Sequence, residues 1–340
     1  MKRILSCSTC LGLLILTLGL PGAASAANVN DVVKAFEDNK DYVQPIATLF
    51  GSATNYGWNQ SSAVPKGFSF YLGIPVTLTA IAEDDRSSEG TWTDGGCKSY
   101  HTNNPTGTQS CSETRKYKAP TLFGRDKGPV LDSSAYNPVS NSITGTFRIP
   151  LNDGNADAAS FNWLPFFEPQ LGFSFYHTEL KLRYLGLPLE AFSFSMPAVG
   201  IQHDLASFLP PLPVNLSVAA NWTWLNGEWT PGGDIDGSLT LDGTSSFYGI
   251  LAGYTYANWL EVFLETGWET ASVKTGGNLV IKDEGQPDET VRPDMTLDGR
   301  NGFRAGLNIA IHFGYDAVLG QSFGANLGNQ VSILAYRYKK

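Results

Sequence analysis

From residue 27 onward the chain holds no apolar run near the ~20 residues that a membrane-spanning helix requires. It holds instead many segments of roughly ten residues in which apolar and polar side chains alternate. Phe68, Phe70, Leu72, Ile74, Val76 and Leu78 alternate with Ser69, Tyr71, Gly73, Thr77 and Thr79. Val214, Leu216, Val218, Ala220, Trp222 and Trp224 alternate with Asn215, Ser217, Ala219, Asn221 and Thr223. Further runs lie at Tyr248–Tyr256, Leu260–Glu269 and Phe303–His312. A period of two puts successive side chains on opposite faces of a strand, and about ten residues cross a thin bilayer at a tilt.

A soluble sandwich also alternates. Two features favour a membrane barrel. Several apolar faces end in Tyr or Trp, as an interfacial girdle does, and the opposite faces carry full charges in mid-strand, as a lumen does. The expected fold is therefore all-β: an antiparallel transmembrane β-barrel of about 12 strands, within a range of 10–14, with a short N-terminal helix.

Residues 1–26 read as a secretory signal peptide. Lys2 and Arg3 precede the apolar run Leu11–Leu20, and Ala24-Ser25-Ala26 offers a small-residue cleavage site. The expected location is the bacterial outer membrane, with lipid as the surrounding partner. Losing Lys2 and Arg3 takes the formal charge from −9 to −11. An acidic chain argues against nucleic acid, whose phosphates require clustered Lys and Arg. Residues 27–40 are expected to be helical, with Val32, Val33 and Phe36 on one face. Residues 41–340 form the barrel, with a long polar insertion at about 83–163, in which Ile143–Leu151 reads as a strand. Cys97 and Cys111 in that insertion are expected to form a disulfide, worth about 3 kcal/mol.

Ala257-Asn258, His312-Phe313-Gly314 and Leu205–Pro213 read as short connections on one side of the barrel. The longer polar stretches Thr230–Thr244 and Asp283–Glu289 read as loops on the other.

Several separated motifs occur in a fixed order. They are Thr48–Trp58 (TLFGSATNYGW), Pro120–Gly124 (PTLFG), Pro169-Gln170 with Gly172, Glu179–Tyr184 (ELKLRY), His203-Asp204 and Leu212-Pro213-Val214. Together with the glycine-interrupted closing strands they resemble an uncharacterised family of bacterial outer-membrane barrels, a domain of unknown function. That family is distantly similar to barrels that import long-chain fatty acids. The resemblance implies an outer-membrane barrel and brings no catalytic residues.

No catalytic constellation is legible. A His and Ser two apart on one strand would face the same way and could pair. The second residue after each histidine is instead Asn103, Glu179, Leu205 or Gly314, following His101, His177, His203 and His312. GxSxG, HExxH and P-loop patterns do not occur, and Asp234-Ile235-Asp236-Gly237 lacks the later acidic ligands of a calcium loop. The chain is expected not to be an enzyme, and no metal or cofactor is expected.

The candidate residues are the charges expected to face the lumen. Glu179, Lys181 and Arg183 share one strand face, Glu261, Glu265 and Glu269 a second, and Arg304, Asn308 and His312 a third. They read either as a polar path for solute or as a salt-bridge ladder that fills a narrow barrel. Phe247, Leu251 and Phe263 are expected to point inward. Trp222, Trp224, Tyr254, Tyr256 and Trp268 are expected to anchor the bilayer interface. The functional expectation is a monomeric barrel that passes or binds a small hydrophobic or amphipathic solute. The alternatives are a structural or surface-interaction barrel with a closed lumen and, last, a lipid-modifying enzyme.

Overall fold

The structure is a computed structural model. It describes residues 43–94, 113–121, 123–124, 126–137, 142–150, 163–188, 192–210, 213–230, 235–256, 259–281, 289–292, 294–312, 316–324 and 328–339. The expected helix at 27–40, the signal peptide and the Cys97–Cys111 pair lie outside these residues. The chain divides into two compact units, one containing 44–81 and 162–340, the other 82–161.

The larger unit is a closed antiparallel barrel. Its strands are β1 (Ser69–Ala80), β6 (Trp163–Phe167), β7 (Gln170–Phe175), β8 (Thr178–Pro188), β9 (Phe192–Asp204), β10 (Asn215–Trp229), β11 (Ile235–Tyr256), β12 (Leu260–Ile281), β13 (Glu289–Val291), β14 (Met295–Asp298), β15 (Gly302–His312), β16 (Asp316–Gly324) and β17 (Gly328–Lys339). They neighbour one another in the order β11-β10-β9-β8-β7-β1-β17-β16-β15-β12, and β12 pairs back onto β11 from Ile235↔Ile281 to Tyr256↔Leu260. That last ladder closes the ring, the condition for a sheet in hydrocarbon.

Two wall positions are interrupted strands. β6 and β7 share one register against β1 and are parted only at Glu168-Pro169, where proline has no N–H to give the ladder. β13, β14 and β15 follow one another along β12, with a bulge at Gly299–Asn301 where the Asn301 carboxamide oxygen accepts from the Ala271 N–H at 2.7 Å. The ring among the described residues is therefore ten strands, the low end of the expected range. The strand read at 143–151 exists as β5 (Ser142–Pro150), but it pairs with β4 (Val130–Asn137) in the other unit and adds nothing to the wall.

Burial is inverted relative to a soluble protein. On β1, Ser69, Tyr71, Thr77 and Thr79 are buried, while Leu72 and Ile74 are exposed. On β12, Glu261, Glu265 and Glu269 are buried, while Val262, Leu264 and Trp268 are exposed. Soluble proteins rarely show contiguous apolar patches beyond a few hundred Å², so a continuous apolar outside with a charged inside is the signature of a lipid-facing wall.

Aromatic residues mark both edges of this belt. Tyr254, Tyr256 and Trp259 are exposed at one edge, and Trp224, Tyr248 and Trp268 at the other. The nine steps from Trp259 to Trp268 span about 30 Å of strand, or about 23 Å along the axis at a typical tilt near 40°, close to the hydrophobic height of an outer-membrane barrel. Trp222 Nε1 donates to the Tyr248 hydroxyl at 2.7 Å with the rings edge to face, an anchor pair at one edge.

The two ends of the barrel differ. At the turn end, Tyr176-His177 joins β7 to β8 with φ of 44° and 61°, the backbone of a two-residue hairpin turn with both central residues left-handed. The ends of β9, β11 and β15 lie there too, as do the starts of β10, β12, β16 and β1. At the opposite, loop end β1 finishes and β6 begins, on either side of the long insertion, and β12 gives way to β13. The stretch read as a loop at 230–244 is corrected. Residues 235–244 belong to β11, which with β12 rises well past the belt as a 22-residue ladder. Gly/Thr/Ser content made this stretch resemble a loop, yet all of it pairs with β12, and from Leu239 onward it pairs with β10 as well.

Inside the ring sits α1 (Pro45–Asn55), with proline in its first turn, where a missing N–H costs nothing. All but Ile46 and Phe50 of its residues are buried. The chain turns extended at Tyr56, and Tyr56–Ser62 are buried without a break.

The smaller unit holds two hairpins, β2 (Ser87–Asp94) with β3 (Glu113–Pro120), and β4 with β5. A 3-10 turn at Glu83–Asp85 precedes β2, and the Arg86 guanidinium donates to the Phe123 carbonyl at 3.1 Å.

Candidate functional site

The lumen is occupied by the chain itself. The segment Thr54–Ser62 runs between two arginines on strands five places apart in the ring, which is diametrically opposite. Arg304 on β15 donates from Nη1 to the Asn55 carbonyl at 3.0 Å, and Arg183 on β8 donates from Nη1 to the Tyr56 carbonyl at 2.9 Å. Each guanidinium also stacks on an aromatic ring of the segment. Arg183 lies 4.0 Å over Trp58, and Arg304 lies 4.4 Å over Tyr56 and 4.0 Å over Phe247 of the wall. Planar delocalised cations do this better than ammonium groups. The Arg304 contact also places a cation at the C-terminal carbonyls of α1, where the helix dipole favours it.

Each arginine has its own carboxylate. Arg183 Nη1 meets Glu168 Oε2 at 2.7 Å, with both side chains essentially inaccessible. Arg304 Nη2 pairs with Glu265, and its Nη1 stands 3.6 Å from Glu269. Buried charges persist only when paired and hydrogen-bonded, and this lumen meets that requirement by distributing both signs around the ring.

The rest of the segment is held from below. Lys181 Nζ donates to Asn59 Oδ1 at 2.6 Å and to Gln202 Oε1 at 2.7 Å. Asn59 Nδ2 donates to Glu265 Oε2 at 2.9 Å. Gln170 donates to the Trp58 carbonyl at 3.2 Å, and Gln202 to the Ser61 carbonyl at 2.9 Å. Glu261 accepts from the Ser62 N–H at 2.8 Å, the Ser61 hydroxyl at 2.6 Å and the Ser62 hydroxyl, while His312 Nε2 stands 3.3 Å away.

Small residues in the wall make room. A Cβ on Gly200 would fall 2.6 Å from the Trp58 ring, and one on Gly253 would strike the Ser62 hydroxyl. Gly57 takes φ 72°, a left-handed backbone that carries the chain between the two aromatic residues.

The nine lumen residues expected from sequence, Glu269 among them, are thus all on the inner face. Lys181, Arg183, Glu261, Glu265, Arg304 and His312 converge on the segment or on one another. Glu179 and Asn308 are buried inward, at 3% and 4% exposure, without joining the contacts above. Phe247, Leu251 and Phe263 point inward as expected, Leu251 and Phe263 packing with Ala219 and Ala310. Sequence reasoning missed the occupant, Tyr56–Ser62, and the wall residues Glu168, Gln170 and Gln202. Among the described residues no group of three or more His, Cys, Asp or Glu could hold a metal ion.

Residues 1–332 match the model of a family of unknown function, DUF6588. The chain belongs to that family. No curated protein matches the sequence. Solved structures similar to this DUF6588 barrel include the translocator domain of the autotransporter NalP from Neisseria meningitidis, at 12% identity over 93% of this chain and 100% of that one, with a TM-score of 0.23. OmpT, an outer membrane protein of Vibrio cholerae in its trimer form, is similar at 10% identity over 80% of this chain and 100% of that one, TM-score 0.17. OpdK of Pseudomonas aeruginosa with vanillate is similar at 7% identity over 81% and 99%, TM-score 0.14.

Proposed function

We propose that this protein is an outer-membrane β-barrel whose lumen is closed in its resting state by residues 45–62 of its own chain. The observation that carries the reading is the pair of opposed, fully buried arginines, each donating to a backbone carbonyl of the segment and stacking on its aromatic rings. The lumen charges then act first as a ladder that holds the segment, rather than as the lining of an open pore. The loop end faces outward and the turn end faces the periplasm, the usual arrangement of such barrels. The barrel works without catalysis, metal or cofactor, and as a monomer in lipid.

Passage of a small hydrophobic or amphipathic solute is the second reading. The buried apolar cluster of Leu251, Phe263, Ala219 and Ala310 beside the segment supports it, as a surface that withdrawal of the segment would uncover. The distant resemblance to fatty-acid importers points the same way at the level of fold alone.

Planar-bilayer conductance tests the closed reading. The wild-type protein is expected to insert without steady current, and the double substitution Arg183→Met with Arg304→Met is expected to give channel openings. Steady ohmic current through the wild-type barrel would sink the closed reading and return the lumen charges to the role of selectivity residues.

A further inference from the structure

The contacts between wall and segment have the form of peptide recognition. Side chains from five wall strands reach main-chain groups of one extended stretch: the carbonyls of Asn55, Tyr56, Trp58 and Ser61, and the N–H of Ser62. Main-chain hydrogen bonds give a bound extended peptide its affinity, and here they come from side chains of the wall. Side-chain seats add selectivity, through Arg304 over Tyr56, Arg183 over Trp58, and Glu261 for two successive serine hydroxyls.

The seat also has a direction. Near the start of α1, Gln44 donates to the Asp298 carbonyl and the Thr48 hydroxyl accepts from the Arg300 N–H at 3.3 Å, both toward the loop end. Ser61 and Ser62 meet Glu261 at the turn end, and the chain then reaches the exposed residues Lys66 and Gly67. The occupant therefore runs from loop end to turn end across the whole belt.

The wall offers more than its occupant uses. Arg183 Nη2, Glu168 Oε1, Asn221 Oδ1 and Thr223 Oγ1 are buried with no hydrogen-bond partner among the described residues. Groups left this way in a native interior call for an explanation, since a buried polar atom without a partner loses its hydration and gains nothing in return. An occupant that satisfied them would bind the wall better than the resident segment does, which is the condition for exchange.

We propose that the lumen is a binding site for an extended polypeptide, filled in this structure by residues 54–62, and that a peptide of the same chemistry supplied in trans takes the same seat. That chemistry is two aromatic side chains one residue apart followed by small polar residues. The proposal rests on the closed-lumen reading and extends it from a plug to a ligand class.

The test uses the full chain with a site-specific protease sequence inserted between Lys66 and Gly67, folded in lipid and then cut. The probe is a fluorescent synthetic peptide with the sequence of residues 45–64. The cut barrel is expected to take up the probe and release its resident fragment, with Arg183→Met and Arg304→Met each weakening uptake about tenfold or more. Uncut full chain carrying Trp58→Ala, whose resident segment has lost its stacking contact, is expected to take up the probe as well, which covers an insertion that fails to fold. A fragment that leaves without any probe binding overturns the proposal while leaving the closed reading intact. A fragment that stays while both the cut barrel and the Trp58→Ala chain refuse the probe also overturns it. Conductance through the uncut wild-type barrel is a separate result and counts against the closed reading itself.

Discussion

Lys181 on β8 and Glu265 on β12, strands nearly opposite in the ring, meet through one side chain of neither strand. Asn59 accepts from Lys181 with its carboxamide oxygen at 2.6 Å and donates to Glu265 with its nitrogen at 2.9 Å. The segment thus supplies a link in the network of lumen charges. Asn59→Ala is expected to cost about 1.5–3 kcal/mol, the range for hydrogen bonds to charged groups, measured by urea unfolding of the barrel in detergent. The same variant is expected to show intermittent channel openings.

Arg304 bears on the helix end, two glutamates and two aromatic rings at once. Arg304→Met leaves Glu265 and Glu269 buried without their cation. A loss of about 3–5 kcal/mol is expected, the usual cost of breaking a buried pair on one side. Restoring neutrality with Arg304→Met plus Glu269→Gln is expected to recover part of that loss. No recovery would mean that the arginine acts through packing alone.

Gly200 faces Trp58 with no room for a side chain. Gly200→Val is expected to displace the segment without altering the wall's hydrogen bonds, so the heat-dependent gel shift of a folded barrel persists while tryptophan emission moves to longer wavelength. Unchanged emission in a folded variant would show that Trp58 does not lie against β9.

Leu264 stands on the lipid face midway between Trp259 and Trp268. Leu264→Arg is expected to cost about 2–4 kcal/mol in lipid, the price of a charge near the bilayer midplane. Lys274→Leu, on the same strand but beyond the belt, is expected to change stability by less than about 0.5 kcal/mol.

The alternation at Phe68–Leu78, Val214–Trp224 and Phe303–His312 was enough to give the wall, its inner and outer faces and the aromatic anchors, because period two leaves a strand no other way to sort lipid from lumen. The inward charges were legible for the same reason. Their partners were not, since Arg183 pairs with Glu168 at a strand break that reads as an ordinary Glu-Pro, and Gln202 looks like any polar residue of a half-wet strand. The occupant was the largest omission. Residues 42–65 carry no charged side chain in a sequence that is 16% charged, and they mix aromatic, amide and hydroxyl groups without period. Such a stretch suits burial against charged walls, where its own charges would be unpaired and its amides can serve both signs. The ten strands fall within the expected range, and the strand read at 143–151 adds nothing to the wall because, as β5, it pairs with β4.

The most direct measurement fixes the segment to the wall by chemistry. The Thr54 hydroxyl lies 2.6 Å from the Ser245 hydroxyl inside the lumen. With Cys97 and Cys111 replaced by Ser, the pair Thr54→Cys and Ser245→Cys should oxidise to a disulfide in the folded, membrane-inserted protein, and a protease cut between Lys66 and Gly67 should then leave the two pieces covalently joined. A folded barrel in which these two cysteines stay reduced under oxidant, and the cut pieces separate, would contradict the account at its centre.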